Sequence, residues 1–284
     1  MGPVAYDTGF HYHQKKSPLG ESVTLVDDRS RIAGRFLAAR RAATGLDAYP
    51  GDFPATLDDA YAVQDAAIAA WDRPVIGWKV GRVPEPLIDL FGTDRLTGPI
   101  FDQATDGATM PVFAEGFAAG EAEFLLRIGT APPAGKTSFT LDEAVALIDG
   151  VHVGIEIASS PLGAINEIGP IAIVSDFGNN NGLVVGPEIP DWRASGFEQW
   201  AVTTRIGGEI AGTGKAEAFP DGAIGAVRFL FELMARRGIA LAPGQWISSG
   251  AVTGVHHARP GQDVEARFNG ELAVACSLVA ARPE

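Results

Sequence analysis

The sequence predicts an α+β protein, a mixed β-roll or sandwich core preceded by a helical N-terminal part. Three observations carry that reading. Two stretches before residue 75 place apolar residues at helical spacing. After Pro74 the apolar runs become short and are divided by glycine and proline, which number 35 and 19 in the 284 residues. Helical patterns interrupt those runs only sparsely, so the strict βαβα alternation of a Rossmann or TIM fold is absent. The predicted organisation is a flexible extension over 1–27, followed by one domain over 28–284. Its helical part covers 28–74 and its β-rich core 75–284.

The first helix is predicted from Asp28, with Ile32, Phe36, Ala39 and Ala43 on one stripe and Arg29, Arg35, Arg40 and Arg41 mostly on other faces; Gly45 stops it. Thr56 with Asp59 three residues later announces a second helix that runs through Ala60, Val63, Ala67 and Ala70 to Trp71. Predicted strands then cover Val75–Val80, Glu121–Ile128, Val151–Ala158, Leu183–Val185, Ala201–Ile206, Gln245–Ser248, Asp263–Phe268 and Leu272–Leu278. Two helices break this series. One opens on a Thr140/Glu143 capping box and reaches about Ile148, and the other carries Ile224, Val227, Phe231 and Met234 and ends at Gly238.

Composition narrows the function. With 22 Lys+Arg against 35 Asp+Glu the net charge is -13, which leaves no basic footprint for nucleic acid and repels anionic lipid surfaces. The start of the chain lacks an apolar secretion segment, and no run is long and uncharged enough to span a membrane, so a cytoplasmic protein is expected. Cys276 is the only cysteine, which excludes an internal disulfide framework and a thiolate-rich zinc site. An acidic protein acting on an anionic metabolite needs a local cation, either a metal or a placed lysine.

Two near-motifs fail on inspection. Gly135-Lys136-Thr137 lacks the glycine a phosphate loop requires six residues before the lysine, where Thr130 stands, and Pro132 and Pro133 remove backbone donors. Gly212-x-Gly214 has Glu217 where a dinucleotide fingerprint needs glycine. His11 and His13 sit in the extension and read as part of it.

The informative stretch is Gly120 to Ile128. At strand period two, Ala122, Phe124, Leu126 and Ile128 form a core face and Glu121 and Glu123 share the other. Such a pair is either a solvated strand face or two oxygen donors for a hard divalent ion. In a second apolar strand, Val151, Val153, Ile155 and Ile157 take the core face, and Glu156 stands opposite them. Three carboxylates together suit an octahedral Mg²⁺ or Mn²⁺ with positions left for water and a chelating substrate. Lys79 lies inside the glycine-bounded strand Val75–Gly81, as a snorkelling edge residue or as an acid/base group and carboxylate partner. Ser249-Gly250-Ala251 ends a later strand, either as a plain turn or as hydroxyl and N–H donors for an anion.

Taken in order, Gly77-Trp78-Lys79-Val80-Gly81, Glu121-Ala122-Glu123, Ile155-Glu156-Ile157, Phe177-Gly178-Asn179-Asn180-Asn181 and Leu241-Ala242-Pro243-Gly244 leading to Ser248-Ser249-Gly250-Ala251 resemble the 2-keto-4-pentenoate hydratase group of the fumarylacetoacetate hydrolase superfamily. The resemblance spans about Asp28 to Leu278. It implies Glu121, Glu123 and Glu156 as ligands of Mg²⁺ or Mn²⁺ and Lys79 in the active site. Asn180, Ser249 and Gly250 are the expected substrate contacts, and Asp94 is the expected partner in acid/base work. The chain departs from the pattern at Pro161, where the family tends to carry arginine after serine, and at Asn179, where it carries an acid.

The resemblance also implies a homo-oligomer acting on a small 2-oxo acid. The expected reaction is hydration of a 2-hydroxy-2,4-dienoate to a 4-hydroxy-2-oxo acid. Decarboxylation of a 2-oxo-3-enedioate, hydrolytic C–C cleavage of an acylpyruvate, and a catalytically silent metal-binding relative are the competing readings.

Overall fold

In a computed structural model the structure describes residues 22–284. Helices α1 (Ser22–Ala42) and α2 (Leu57–Ala70) come first, then β1 (Gly77–Arg82), α3 (Glu85–Phe91), β2 (Arg95–Ile100), β3 (Gln103–Thr105), β4 (Ala108–Val112) and β5 (Phe117–Ile128). Next come α4 (Leu141–Val145), β6 (Ile148–Ser160), α5 (Ile165–Ile168), α6 (Pro170–Ser175) and β7 (Asn180–Glu188). The chain continues through β8 (Val202–Ile206), β9 (Glu209–Gly214), α7 (Gly222–Arg237), β10 (Trp246–Ser248), β11 (His256–His257), β12 (Asp263–Phe268) and β13 (Leu272–Ala280).

Two mixed sheets form the centre. Among the described residues the larger runs β2-β1-β10-β5-β6-β7-β3, with β11 joined to β5, and the smaller runs β4-β13-β12-β8-β9. One face of the larger sheet packs against the smaller sheet and α7 around Phe124, Leu126, Val153, Ile155, Phe231, Val264 and Phe268. Its other face is covered by α1, α2, α5 and α6 around Phe36, Leu37, Val63, Ala119, Ala158, Ile165, Ala172 and Phe177. The predicted core faces of β5 and β6 are completely buried, at 0% exposure for Phe124, Leu126, Ile155 and Ile157. Those residues fix which way the glutamates point, because a side chain one position along a strand must face the opposite side.

The expected sandwich with a helical N-terminal part is present, and several boundaries move. Residues 1–21 of the expected extension, with His11 and His13, lie outside the described residues, and 22–27 belong to α1. Thr56 caps α2 by accepting the Asp59 N–H, and Thr140 and Glu143 form the full capping box of α4. That helix stops at Val145 instead of Ile148, because Ile148 already enters β6 and pairs with Ile128. Strands β2, β3, β4, β9 and β11 were not foreseen. The Arg95–Ile100 segment contains Gly98 and Pro99, which read as turn residues, but the strand lies at the sheet edge beside β1, where a missing proline donor costs nothing. Gly98 is required there: a Cβ at that position would fall 2.1 Å from the Phe177 carbonyl oxygen.

Candidate metal centre

Strands β5 and β6 pair antiparallel with Glu121 opposite Glu156 and Glu123 opposite Gly154. Directly opposed residues share a face, so all three carboxylates project toward the helical layer. Each offers one oxygen, and these oxygens lie within 4.8 Å of one another. All three are buried, with exposures of 5% for Glu121, 1% for Glu123 and 0% for Glu156. Lys79 reaches the same point from β1, which neighbours β10 and through it β5. Its Nζ stands 3.6 Å from Glu156 Oε1.

The surrounding hydrogen bonds orient the carboxylates without satisfying them. Glu123 Oε2 accepts from Ser248 Oγ at 2.5 Å and from the Gly250 N–H at 2.8 Å. Glu156 Oε1 accepts from Asn180 Nδ2 at 3.0 Å, and Asn180 Oδ1 in turn accepts the Gly182 N–H at 3.0 Å, which fixes the amide's direction. The second oxygens, Glu123 Oε1 and Glu156 Oε2, are buried with no hydrogen-bond partner. Burial, then the Glu156 charge, pushes Glu121 up to about 8, against the opposing pull of Lys79. Burial raises Glu123 well above the ordinary carboxylate range as well, helped by Glu156 and Glu121. Burial alone would depress Lys79, but Glu156, Glu121 and Glu123 outweigh it and hold the ammonium above its ordinary value.

One lysine faces three acids here. An all-oxygen donor set with two bare buried oxygens suits a hard divalent cation, which relieves the repulsion and fills the missing contacts. Glu121, Glu123 and Glu156 are the residues that could hold it.

The other expected site residues fall in different places. Asn180 Nδ2 donates to Glu156 and the Gly250 N–H to Glu123, so both residues orient the glutamates. Ser249 is buried beside them and its Oγ has no partner. Asp94 is not brought to the cluster. Lys79 pairs with Gly98 and Arg82 with Arg95, so Asp94 lies past the far end of the β1–β2 pairing, with its carboxylate on Arg95 at 3.3 Å.

Sequence reasoning missed Ser248 and a buried network one step along the sheet. Arg40 Nε and Nη2 grip Asp176 Oδ1 and Oδ2 at 2.6 and 2.9 Å, and Ser160 Oγ donates to the same Oδ2 at 2.6 Å. Arg40 therefore sits on the packed face of α1, contrary to the expected outer face. The spacing Ile32, Phe36, Arg40 could have revealed it, since residues four apart share a helix face.

No protein-family model matches this sequence, and no curated protein matches it. Solved structures do. The 4-oxalocrotonate decarboxylase from Pseudomonas putida G7, complexed with magnesium and adipate, aligns at TM-score 0.77 and 20% identity, over 89% of this chain and 98% of that one. Fumarylpyruvate hydrolase from Pseudomonas aeruginosa, in complex with Mn²⁺ and pyruvate, aligns at 0.52 and 16% identity, over 72% and 89%. The 2-hydroxyhepta-2,4-diene-1,7-dioate isomerase from Mycobacterium marinum aligns at 0.54 and 16% identity, over 73% and 77%. The chain thus shares its fold with these three enzymes.

Proposed function

We propose that this chain is a divalent-metal-dependent lyase that adds water to a 2-hydroxy-2,4-dienoate, giving a 4-hydroxy-2-oxo acid. The observation that carries the reading is the set of three buried glutamate oxygens within 4.8 Å of one another, with Lys79 beside them. Solved structures of the same fold, complexed with magnesium or Mn²⁺, support it. Mg²⁺ or Mn²⁺ held by Glu121, Glu123 and Glu156 would bind a 1-carboxylate and 2-oxygen and draw electron density from the conjugated chain.

The chain's own groups then divide the work. Lys79, its ammonium held above its ordinary value by the three glutamates and standing 3.6 Å from Glu156 Oε1, is the group placed to carry a proton and to counter the substrate's charge. Net transfer of the O2 proton to C5 gives the 2-oxo-3-enoate; the elements of one water then add across C3 and C4, hydroxyl at C4 and hydrogen at C3. Ser249 Oγ, buried without a partner, is the available donor for a substrate oxygen. Burial of all four charged residues keeps bulk water from screening them.

A second reading has a specific observation in its favour. The decarboxylase aligned above matches over 98% of its length, whereas the hydrolase and isomerase match over less of theirs. In that reading the same site would break a C–C bond to a carboxylate and release CO₂. Incubating Mg²⁺- or Mn²⁺-loaded protein with 2-hydroxypenta-2,4-dienoate and with its dicarboxylate counterpart separates the two. Loss of dienol absorbance without CO₂ supports hydration, CO₂ release supports decarboxylation, and neither signal rejects both.

A further inference from the structure

Three consecutive residues between α6 and β7 adopt left-handed backbone: Phe177 at φ 56°, Gly178 at 67° and Asn179 at 66°. Two of them carry a Cβ, and that conformation is unfavourable for an L-residue without surroundings that impose it. The turn is pressed onto the site. Its Gly178 packs on the backbone of Gly98 and against Cδ of Lys79, and the next residue, Asn180, bonds Glu156.

Arg40 holds both ends of that turn from α1. Before the turn it grips the Asp176 carboxylate through two nitrogens. After it, Nη1 donates to the Asn180 carbonyl at 3.4 Å and to Asn181 Oδ1 at 3.1 Å. Inside it, the guanidinium stacks over the Phe177 ring at 5.1 Å, while Nη2 also donates to the Ser159 carbonyl on β6 at 3.3 Å. One rigid, planar fork thus ties α1, the strained turn and the Glu156 strand together.

We propose that Arg40 is a positioning residue for the carboxylate centre: it staples the 177–179 turn so that Asn180 meets Glu156 Oε1 and leaves Oε2 free to face a cation. This rests on the metal-binding reading above. Arg40 touches none of the three carboxylates, so it acts only through the turn, and Asn180 is the last link.

The test is a double-mutant cycle read by Mn²⁺ titration of chelator-stripped protein, with free Mn²⁺ followed by electron paramagnetic resonance. Arg40→Met and Asn180→Ala are each expected to weaken Mn²⁺ binding by ~10–100-fold, the scale on which outer groups that orient a ligand act. The double variant is expected to bind no more weakly than either single one, because the second change removes a link already broken. Arg40→Lys retains charge and stem but loses the fork, and is expected to fold with a cooperative melt while still binding Mn²⁺ more weakly; it carries the test if Arg40→Met does not fold. Native affinity in a folded Arg40 variant overturns the proposal, as do losses that multiply in the double variant. Failure of the unaltered chain to bind Mn²⁺ at all overturns the metal reading itself.

Discussion

Beneath Asn180 the helix-facing side of the large sheet carries Glu121, Glu123, Glu156 and Lys79; four residues further along β6, on the same face, Ser160 bonds Asp176, which Arg40 grips. Both clusters are buried and charged, yet their bookkeeping differs. Arg40 and Asp176 match one to one, and each also bonds neutral groups. The glutamate cluster sets three acids against one lysine and leaves two buried oxygens bare. Desolvation penalises an ion in either place, and only matched charge with well-aimed hydrogen bonds offsets it. The first cluster is therefore complete within the chain, while the second, on the proposed reading, is completed by a cation from solution.

Removing a partner from the balanced cluster should have the largest effect. Asp176→Ala strands a buried guanidinium, and urea unfolding is expected to show a loss of about 3–5 kcal/mol. In metal-free protein Glu123→Gln is expected to do the opposite, raising stability or leaving it unchanged, because a neutral amide carries no ionisable group into the buried site while Ser248 and Gly250 still find an acceptor. Similar losses in both variants would erase the contrast between the clusters.

Next in size is metal affinity. Any one of Glu121, Glu123 or Glu156 changed to Gln removes an anionic donor, and calorimetric Mn²⁺ titration should show a loss exceeding the ~10–100-fold typical of outer-shell changes. Equal affinity in native and Glu123→Gln protein would return these acids to a merely buried cluster. Lys79→Met follows. Turnover of the dienoate is expected to fall roughly 10²-fold, the scale for losing an acid/base group, while circular dichroism stays native. Unchanged turnover would reduce Lys79 to a counter-charge.

The glutamate cluster was legible in the sequence for a physical reason. Period-two alternation in β5 and β6 is enforced by the core residues Phe124, Leu126, Ile155 and Ile157, so any acid between them must face the other way. Lys79 was legible through its flanking glycines. Arg40's packed face was encoded in the Ile32, Phe36, Arg40 spacing, but its partner Asp176 was not, because their contact joins α1 to the end of α6 across 136 positions and no local period encodes it. Asp94's place was hidden for the same reason: its distance from the glutamates depends on the β1–β2 register, and β2 itself was hidden behind Gly98 and Pro99. The pair found at Arg40 and Asp176 also qualifies the departures noted at Pro161 and Asn179. An arginine and an acid do lie beside Ser160, supplied by other elements.

The smallest and most diagnostic effect concerns pH. In metal-free protein, burial and then the neighbouring Glu156 push Glu121 up to about 8, and Glu123 is raised as well, so the folded chain holds protons that an unfolded chain releases near the ordinary 4.5. Between those values the native state binds more protons than the unfolded one, so stability must fall as pH rises. The contribution is fully present below about 4.5 and is lost as pH climbs through about 8. A divalent cation inverts this slope, because it binds the deprotonated carboxylates and displaces those protons. Thermal melts with chelator should therefore decline across this window, and the upward shift produced by Mn²⁺ should grow across it. Glu121→Gln is expected to flatten both trends, since the amide carries no titrating proton. A metal-free melting temperature that holds level over the whole window would mean that the three acids are as well compensated as the Arg40–Asp176 pair, and the difference between the two clusters would disappear.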